Sequence, residues 1–300
     1  MKTLVLFALS IGLVTVAEAQ RRAAVRPAKT VIFAVLNDGK AIEPIGYIGA
    51  KGVMTPAIDG ASEAAVLTAF HRTYFSKGKM FPLIFGGKVS GNVTVTSSDP
   101  KGECVNYLAN VATKTTRSAL KGNIMALATN AKITKPGSGI RRLPTPAERA
   151  EIETLVREAF AKKSISADVA KNLKYHNLTA LDVNNDGQAE MVGSFWVEPS
   201  ATEREVLFFI AELGADKKYR FGYSESRRIK QEETMSEDIK DVDSGVYHER
   251  LLDIFDIDGD GDSEIFSYVM SFEGAGFNVY KRQGDGWINH FEGSNYHCGY

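Results

Sequence analysis

Asp182-Val183-Asn184-Asn185-Asp186-Gly187-Gln188-Ala189-Glu190 and Asp256-Ile257-Asp258-Gly259-Asp260-Gly261-Asp262-Ser263-Glu264 write one acidic phrase twice. Both copies carry oxygen-bearing side chains at positions 1, 3, 5 and 9 and a glycine at position 6. Alternate residues of a tight loop turn to one side, and glycine relieves the bend where a Cβ would clash. Such a loop gathers the roughly six to eight oxygens that calcium takes at about 2.3 to 2.6 Å. In the first copy Asp182, Asn184, Asp186 and Glu190 offer side chains and Gln188 its carbonyl. In the second, Asp256, Asp258, Asp260 and Glu264 do so with the carbonyl of Asp262. Magnesium prefers fewer protein oxygens in tighter octahedral geometry and is the weaker candidate. A metal-free Asp/Gly turn is the plain alternative. Position 182 maps onto 256 and 190 onto 264 at one offset, so the phrase marks an internal repeat of packed supersecondary units.

Apolar, β-branched stretches flank each copy. Leu178 to Asp182 and Arg250 to Phe255 lead in, and Met191 to Val197 and Ile265 to Phe272 lead out. Further strands are expected at Val206 to Leu213, Tyr219 to Tyr223, Phe277 to Lys281 and Trp287 to Phe291. An EF-hand opens with the same letters but needs a carboxylate at position 12 and an exiting helix. Here position 12 is Gly193 or Ser267, and strands follow.

The phrase D-x-[DN]-x-D-G-x-x-E between strands resembles the calcium loops of FG-GAP and VCBS repeats, the blade units of integrin-type β-propellers. The resemblance covers roughly Leu173 to Phe291. It implies that Asp182, Asn184, Asp186 and Glu190, and likewise Asp256, Asp258, Asp260 and Glu264, hold a structural ion that pins the turn between two blade strands. A propeller needs at least four blades, and two are visible, so a compact pair packed against a helix is expected. The second loop carries one more side-chain charge than the first. On charge count it should hold calcium harder, and Asp260→Ala should cost more than Asp186→Ala in calcium.

The first half reads differently. Thr30 to Leu36, the turn Asn37-Asp38-Gly39, and Ile42 to Ile48 read as strand, turn, strand. A helix is expected over Ser62 to Phe75, and short strands near Val89 to Thr96, Cys104 to Thr113 and Asn123 to Ala131. Lys135-Pro136-Gly137-Ser138-Gly139, then Arg141-Arg142-Leu143-Pro144, reads as a linker. Thr145, Pro146 and Glu148 form a helix start with a capping box, and Ile152, Leu155, Val156, Ala159 and Phe160 form one apolar stripe. Glu225 to Ser244, rich in both charges, reads as a solvated excursion. The expected fold class is α+β, predominantly antiparallel β. A small α+β domain (30–134) and a linker (135–144) precede a helix with a duplicated four-stranded β unit (145–300).

Met1-Lys2, the apolar stretch Leu4 to Val16 and Ala17-Glu18-Ala19 read as a secretory signal peptide over 1–19, too short for the roughly 20 residues of a membrane span. A flexible basic leader (20–29) with Arg21, Arg22 and Arg26 follows, and no later run is apolar enough to span. Export makes a Cys104 to Cys298 disulfide the natural pairing. Free thiols, or a thiolate site with His297, are the alternatives. The net charge of −1 and 44% hydrophobic content describe an ordinary globular chain with no basic excess for nucleic acid.

The five histidines, His71, His176, His248, His290 and His297, show no metal-ligand spacing, and neither a G-x-S-x-G elbow nor a phosphate-cradling loop occurs. Trp196, Trp287 and Tyr268 are expected to fill sheet faces, and Glu198, Glu273 and Glu292 are the acids whose pairing only the fold decides. The favoured reading is a secreted or periplasmic, calcium-stabilised, non-enzymatic module for a protein or glycan ligand. The alternative is a secreted hydrolase, glycan-active for instance, with its chemistry in residues 30 to 135 and the repeats as support.

Overall fold

The computed structural model describes residues 28–58, 64–102, 104, 106–116, 120–121, 124–133 and 135–298. The signal-peptide reading and nearly all of the leader lie outside these residues.

The run Thr30–Leu36 (β1) is apolar throughout because both of its faces are covered. Val31, Phe33 and Val35 point into one core, and Ile32, Ala34 and Leu36 into another. The other barrel strands are Ala41–Ile48 (β2), Met80–Phe85 (β4), Lys88–Ser98 (β5), Ala109–Thr115 (β6) and Ala126–Thr129 (β7), with Met54–Thr55 (β3) appended to β2. They follow the order β1-β7-β4-β5-β6-β2, and β2 pairs back onto β1, closing a six-stranded antiparallel barrel. Closure leaves no open edge among these strands. The helix Ala64–Tyr74 (α1) packs Leu67, Phe70 and Tyr74 into the interior against Phe33, Phe75 and Phe81. Ala126 and Ala128 on β7 leave room for these rings.

Two antiparallel sheets follow. One comprises Arg141–Arg142 (β8), Lys174–Leu181 (β9), Glu190–Ser200 (β10), Glu203–Leu213 (β11) and Tyr219–Lys230 (β12), in the order β12-β11-β10-β9-β8. The other comprises Glu249–Phe255 (β13), Glu264–Met270 (β14), Gly274–Gln283 (β15) and Gly286–Tyr296 (β16) in sequence order. The helix Pro146–Lys162 (α2) carries the expected capping box on Thr145 and Glu148, and buries Ile152, Val156 and Phe160 on the first sheet. That sheet's other face meets the second through Val192, Phe208 and Ile210 against Ile254, Ile265 and Tyr280. The second sheet's far face packs on the outside of the barrel through Leu252, Phe266, Phe277 and Val279. The molecule is therefore layered as helix, sheet, sheet and barrel. It is an α+β protein, mostly antiparallel β.

The segment read as a linker lies tight against the barrel. Gly137 and Gly139 donate their amides to the carbonyls of Gly87 and Gly86 at 2.9 and 3.0 Å. A Cβ at Gly86, whose φ is 65°, would stand 2.9 Å from the Gly139 backbone. Beneath this contact Asp253, fully buried, accepts from the Gly86 and Gly87 amides and pairs with Arg141 at 2.9 Å. The charged stretch after Glu225 also departs from its reading as an excursion: β12 runs on to Lys230. Its charges are satisfied across strands, with Arg228 bonding Glu205 at 2.5 Å and Glu203 at 3.1 Å. A short helix, Lys240–Asp243 (α3), follows and buries Val242 against Trp196 and Ile229.

Cys104 and Cys298 are joined by a disulfide with a Cα–Cα distance of 5.1 Å, tying the barrel region to the end of β16. Among the described residues no helix is long and apolar enough to cross a membrane.

Candidate metal centre

Both acidic phrases join two neighbouring antiparallel strands: Asp182 to Glu190 links β9 to β10, and Asp256 to Glu264 links β13 to β14. The loops lie side by side at one rim of the paired sheets, where the Ser263 amide donates to the Val183 carbonyl at 2.8 Å. Position 6 is left-handed in both, Gly187 at φ 81° and Gly261 at φ 109°. Position 4 is left-handed too, filled by Asn185 and Gly259, the two residue types that tolerate it best.

Four side-chain to backbone bonds recur at matching positions. The position-1 carboxylate accepts the position-6 amide, at 3.2 Å for Asp182 and 3.1 Å for Asp256. Position 3 accepts from position 5, at 3.1 Å for Asn184 and 3.2 Å for Asp258. Position 5 accepts from position 7, at 2.7 Å for Asp186 and 2.9 Å for Asp260. Position 9 reaches back to the position-2 amide, at 3.0 Å for Glu190 and 2.9 Å for Glu264. These bonds hold the acidic side chains over the loop in both copies.

In the second loop three aspartates stand close enough to share a metal ion. Ligand oxygens of Asp256, Asp258 and Asp260 lie within 4.8 Å of one another. Oxygens on opposite sides of a calcium ion stand about 5 Å apart, so the three can share one ion. In the first loop position 3 is the amide Asn184, and its side-chain NH2 donates to Asp186 at 3.2 Å. The position-9 glutamates are almost fully buried, and burial pushes both carboxyls up to about 7 against the pull of the Val183 and Ile257 amides. A carboxylate buried in this way needs a positive partner to stay ionised.

That partner differs between the loops. Lys281 on β15 sends its ammonium into the second loop, 2.6 Å from Asp258, 3.1 Å from Asp260 and 2.9 Å from Glu264. Burial works against its charge, but Asp258, Glu264 and Asp260 hold it above the ordinary lysine value. Arg282, the next residue, points to the opposite face of the strand. Its guanidinium bonds Glu212 at 2.7 Å and stands 3.6 Å from Glu190 of the first loop. Trp287 also donates to Glu212, at 2.7 Å, and the Gln188 side chain accepts from Lys217 at 2.8 Å. Lys281, Arg282 and Glu212 carried no local signal in the sequence. The register that pairs Ile265 with Tyr280 brings Lys281 beside Glu264.

The other candidates do not converge with the loops. The barrel interior is filled by aromatic rings, and His71 is buried there, bonded to Ser98 at 2.9 Å and the Asn106 carbonyl at 2.7 Å. Trp196, Trp287 and Tyr268 are buried in the sheet packing. Glu198 pairs with Lys174 and Glu292 with Asn289. His297 meets the buried Glu43 at 2.8 Å and not a thiolate, since Cys298 is in the disulfide. His176 and His248 meet at the sheet end opposite the loops, with ring centroids 4.2 Å apart. Desolvation pushes His248 down to about 3, with His176 and Arg250 adding to the fall.

Compared with protein-family models, curated proteins and solved structures, the chain matches none.

Proposed function

We propose that this chain is an exported calcium-binding module in which calcium is a structural ion of the acidic loops, and that it serves as a non-enzymatic binding or interaction protein. The observation that carries the reading is the recurrence of the same four side-chain to backbone bonds in two loops at one sequence offset, each between neighbouring strands of its own sheet. Asp182, Asn184, Asp186, Glu190 and the Gln188 carbonyl form one ligand set. Asp256, Asp258, Asp260, Glu264 and the Asp262 carbonyl form the other. The two sheets then read as a duplicated FG-GAP/VCBS-like unit, the first extended by the two-residue β8. The resemblance gives the ion its role of pinning the turn, since the loops touch each other and the second abuts the barrel turn at Gly52. Export is supported by the Cys104 to Cys298 disulfide, a bond that persists in oxidising compartments. The filled barrel interior favours binding over hydrolysis centred in residues 30 to 135.

Calorimetric titration of the chelator-stripped protein with calcium chloride tests the reading. Saturable binding with a higher melting temperature is expected, and no heat together with an unchanged melt would refute it.

A further inference from the structure

The loops share their ligand letters but draw their positive charge from different sources. We propose that Lys281 serves the second loop as a tethered cation in place of calcium. The first loop is then the calcium site of the native chain, and the second takes calcium only when the ammonium is removed. This rests on the calcium reading above and fixes which of the two ligand sets the ion uses.

An ammonium has three hydrogens to donate, and Lys281 has one carboxylate for each: Asp258, Asp260 and Glu264 at 2.6, 3.1 and 2.9 Å. These are positions 3, 5 and 9, three of the four side-chain ligands of that loop. A metal entering there must expel a cation that is covalently tethered and gives up no translational freedom when it returns. The tether is also stiff, because β15 is paired on both sides, with β14 and β16. The extra carboxylate that distinguishes the second loop is thus cancelled by a charge from the next strand of the sheet.

No equivalent cation enters the first loop. There Met191 pairs with Ala211 as Ile265 pairs with Tyr280. The residue after Ala211 is Glu212, standing where the second sheet has Lys281. Glu212 holds Arg282 at 2.7 Å, which turns that guanidinium away from the loop and leaves it 3.6 Å from Glu190. Among the described residues no basic nitrogen lies within 4.0 Å of Asp182 or Asp186, whose partners are amide N–H groups. A divalent ion entering this loop would meet no ammonium, only the Asn184 and Gln188 side-chain amides on Asp186 and the Arg282 guanidinium 3.6 Å from Glu190.

The test is calcium calorimetry on the full chain, comparing the native protein with Lys281→Met and Asp186→Ala. One binding event in the native chain, its loss in Asp186→Ala and a second event in Lys281→Met are expected. Two events in the native chain, or one that survives Asp186→Ala, would overturn the proposal and leave the calcium reading standing. A single unchanged event in Lys281→Met would do the same, whereas no binding by either the native chain or Lys281→Met would overturn both. Amine labelling of the native protein, read by peptide mass spectrometry, needs no variant to fold. Labelling of Lys281 should stay slow and unchanged at calcium levels that saturate the calorimetric event. A several-fold acceleration there would show calcium displacing the ammonium and would refute the proposal.

Discussion

At the first acidic loop the buried position-9 glutamate looks toward a guanidinium that Glu212 already holds; at the second, the matching glutamate shares an ammonium with two aspartates. Counting charges within each loop favours the second as the tighter calcium site. The proposal that Lys281 fills the second loop reverses that order. A loop's affinity for a cation depends on what the adjacent strand delivers as much as on its own carboxylates, because buried charges are screened weakly and local partners dominate. Adjacent residues of one strand serve both sheets here, Lys281 turned to its own loop and Arg282 to the neighbouring sheet.

The largest expected effect should leave this contrast intact. Cys298→Ser opens a loop spanning 194 residues and should cost about 5 kcal/mol in the chain-entropy model. The calcium-induced rise in melting temperature should persist, and its disappearance would mean that the loops depend on the barrel's covalent tie. Next, Lys281→Met in chelator leaves three clustered carboxylates without their cation and should cost about 3 kcal/mol in a denaturant melt. Excess calcium should restore most of that loss. A variant as stable as the native chain in chelator would mean that the ammonium contributes nothing there.

The far end of the sheets supplies a contrast in kind, a histidine pair whose imidazoles burial holds neutral beside Arg250. His248 is fully buried and titrates near 3, well below the ordinary histidine value of 6.5. A base with a depressed folded pKa stabilises above its unfolded pKa, and that stability is lost as the pH falls from about 6.5 toward 3. Between pH 7 and 5 in chelator, the native chain should lose roughly 2 kcal/mol relative to His248→Gln. Glu190 and Glu264, raised to about 7, act with the opposite sign, gaining stability as they protonate, and cancel in that difference. Parallel acid limbs for the two proteins would rule out the neutral imidazole as the source.

What was legible in the sequence was local. The acidic loops, the capping box at Thr145 and the α2 stripe are set by residues within a turn or two of one another, and the structure places them where they were expected. The cysteine pairing followed from there being only two. Barrel closure was not legible, because β1 must pair with β7 from far along the chain and no local pattern encodes that. The strand Met80–Phe85 carries Pro82, a residue that argues against a strand inside a sheet. The length of β12 was hidden for a similar reason: Arg228 reads as solvated until Glu203 and Glu205 appear across from it. Lys281 was invisible as a partner of the second loop for the same cause, since only strand register brings it there.

The smallest effect distinguishes the two loops. Thermal or denaturant melts of Asp186→Ala and Asp260→Ala, each with calcium and with chelator, separate the two loops. With calcium at ten times its Kd, binding adds roughly 1.4 kcal/mol to the native chain. Asp186→Ala should lose that increment while melting near the native value in chelator. Asp260→Ala should keep the increment and show its loss in chelator, where the Lys281 contact is weakened. The reverse pattern, with the calcium increment lost in Asp260→Ala and kept in Asp186→Ala, would place the ion in the second loop.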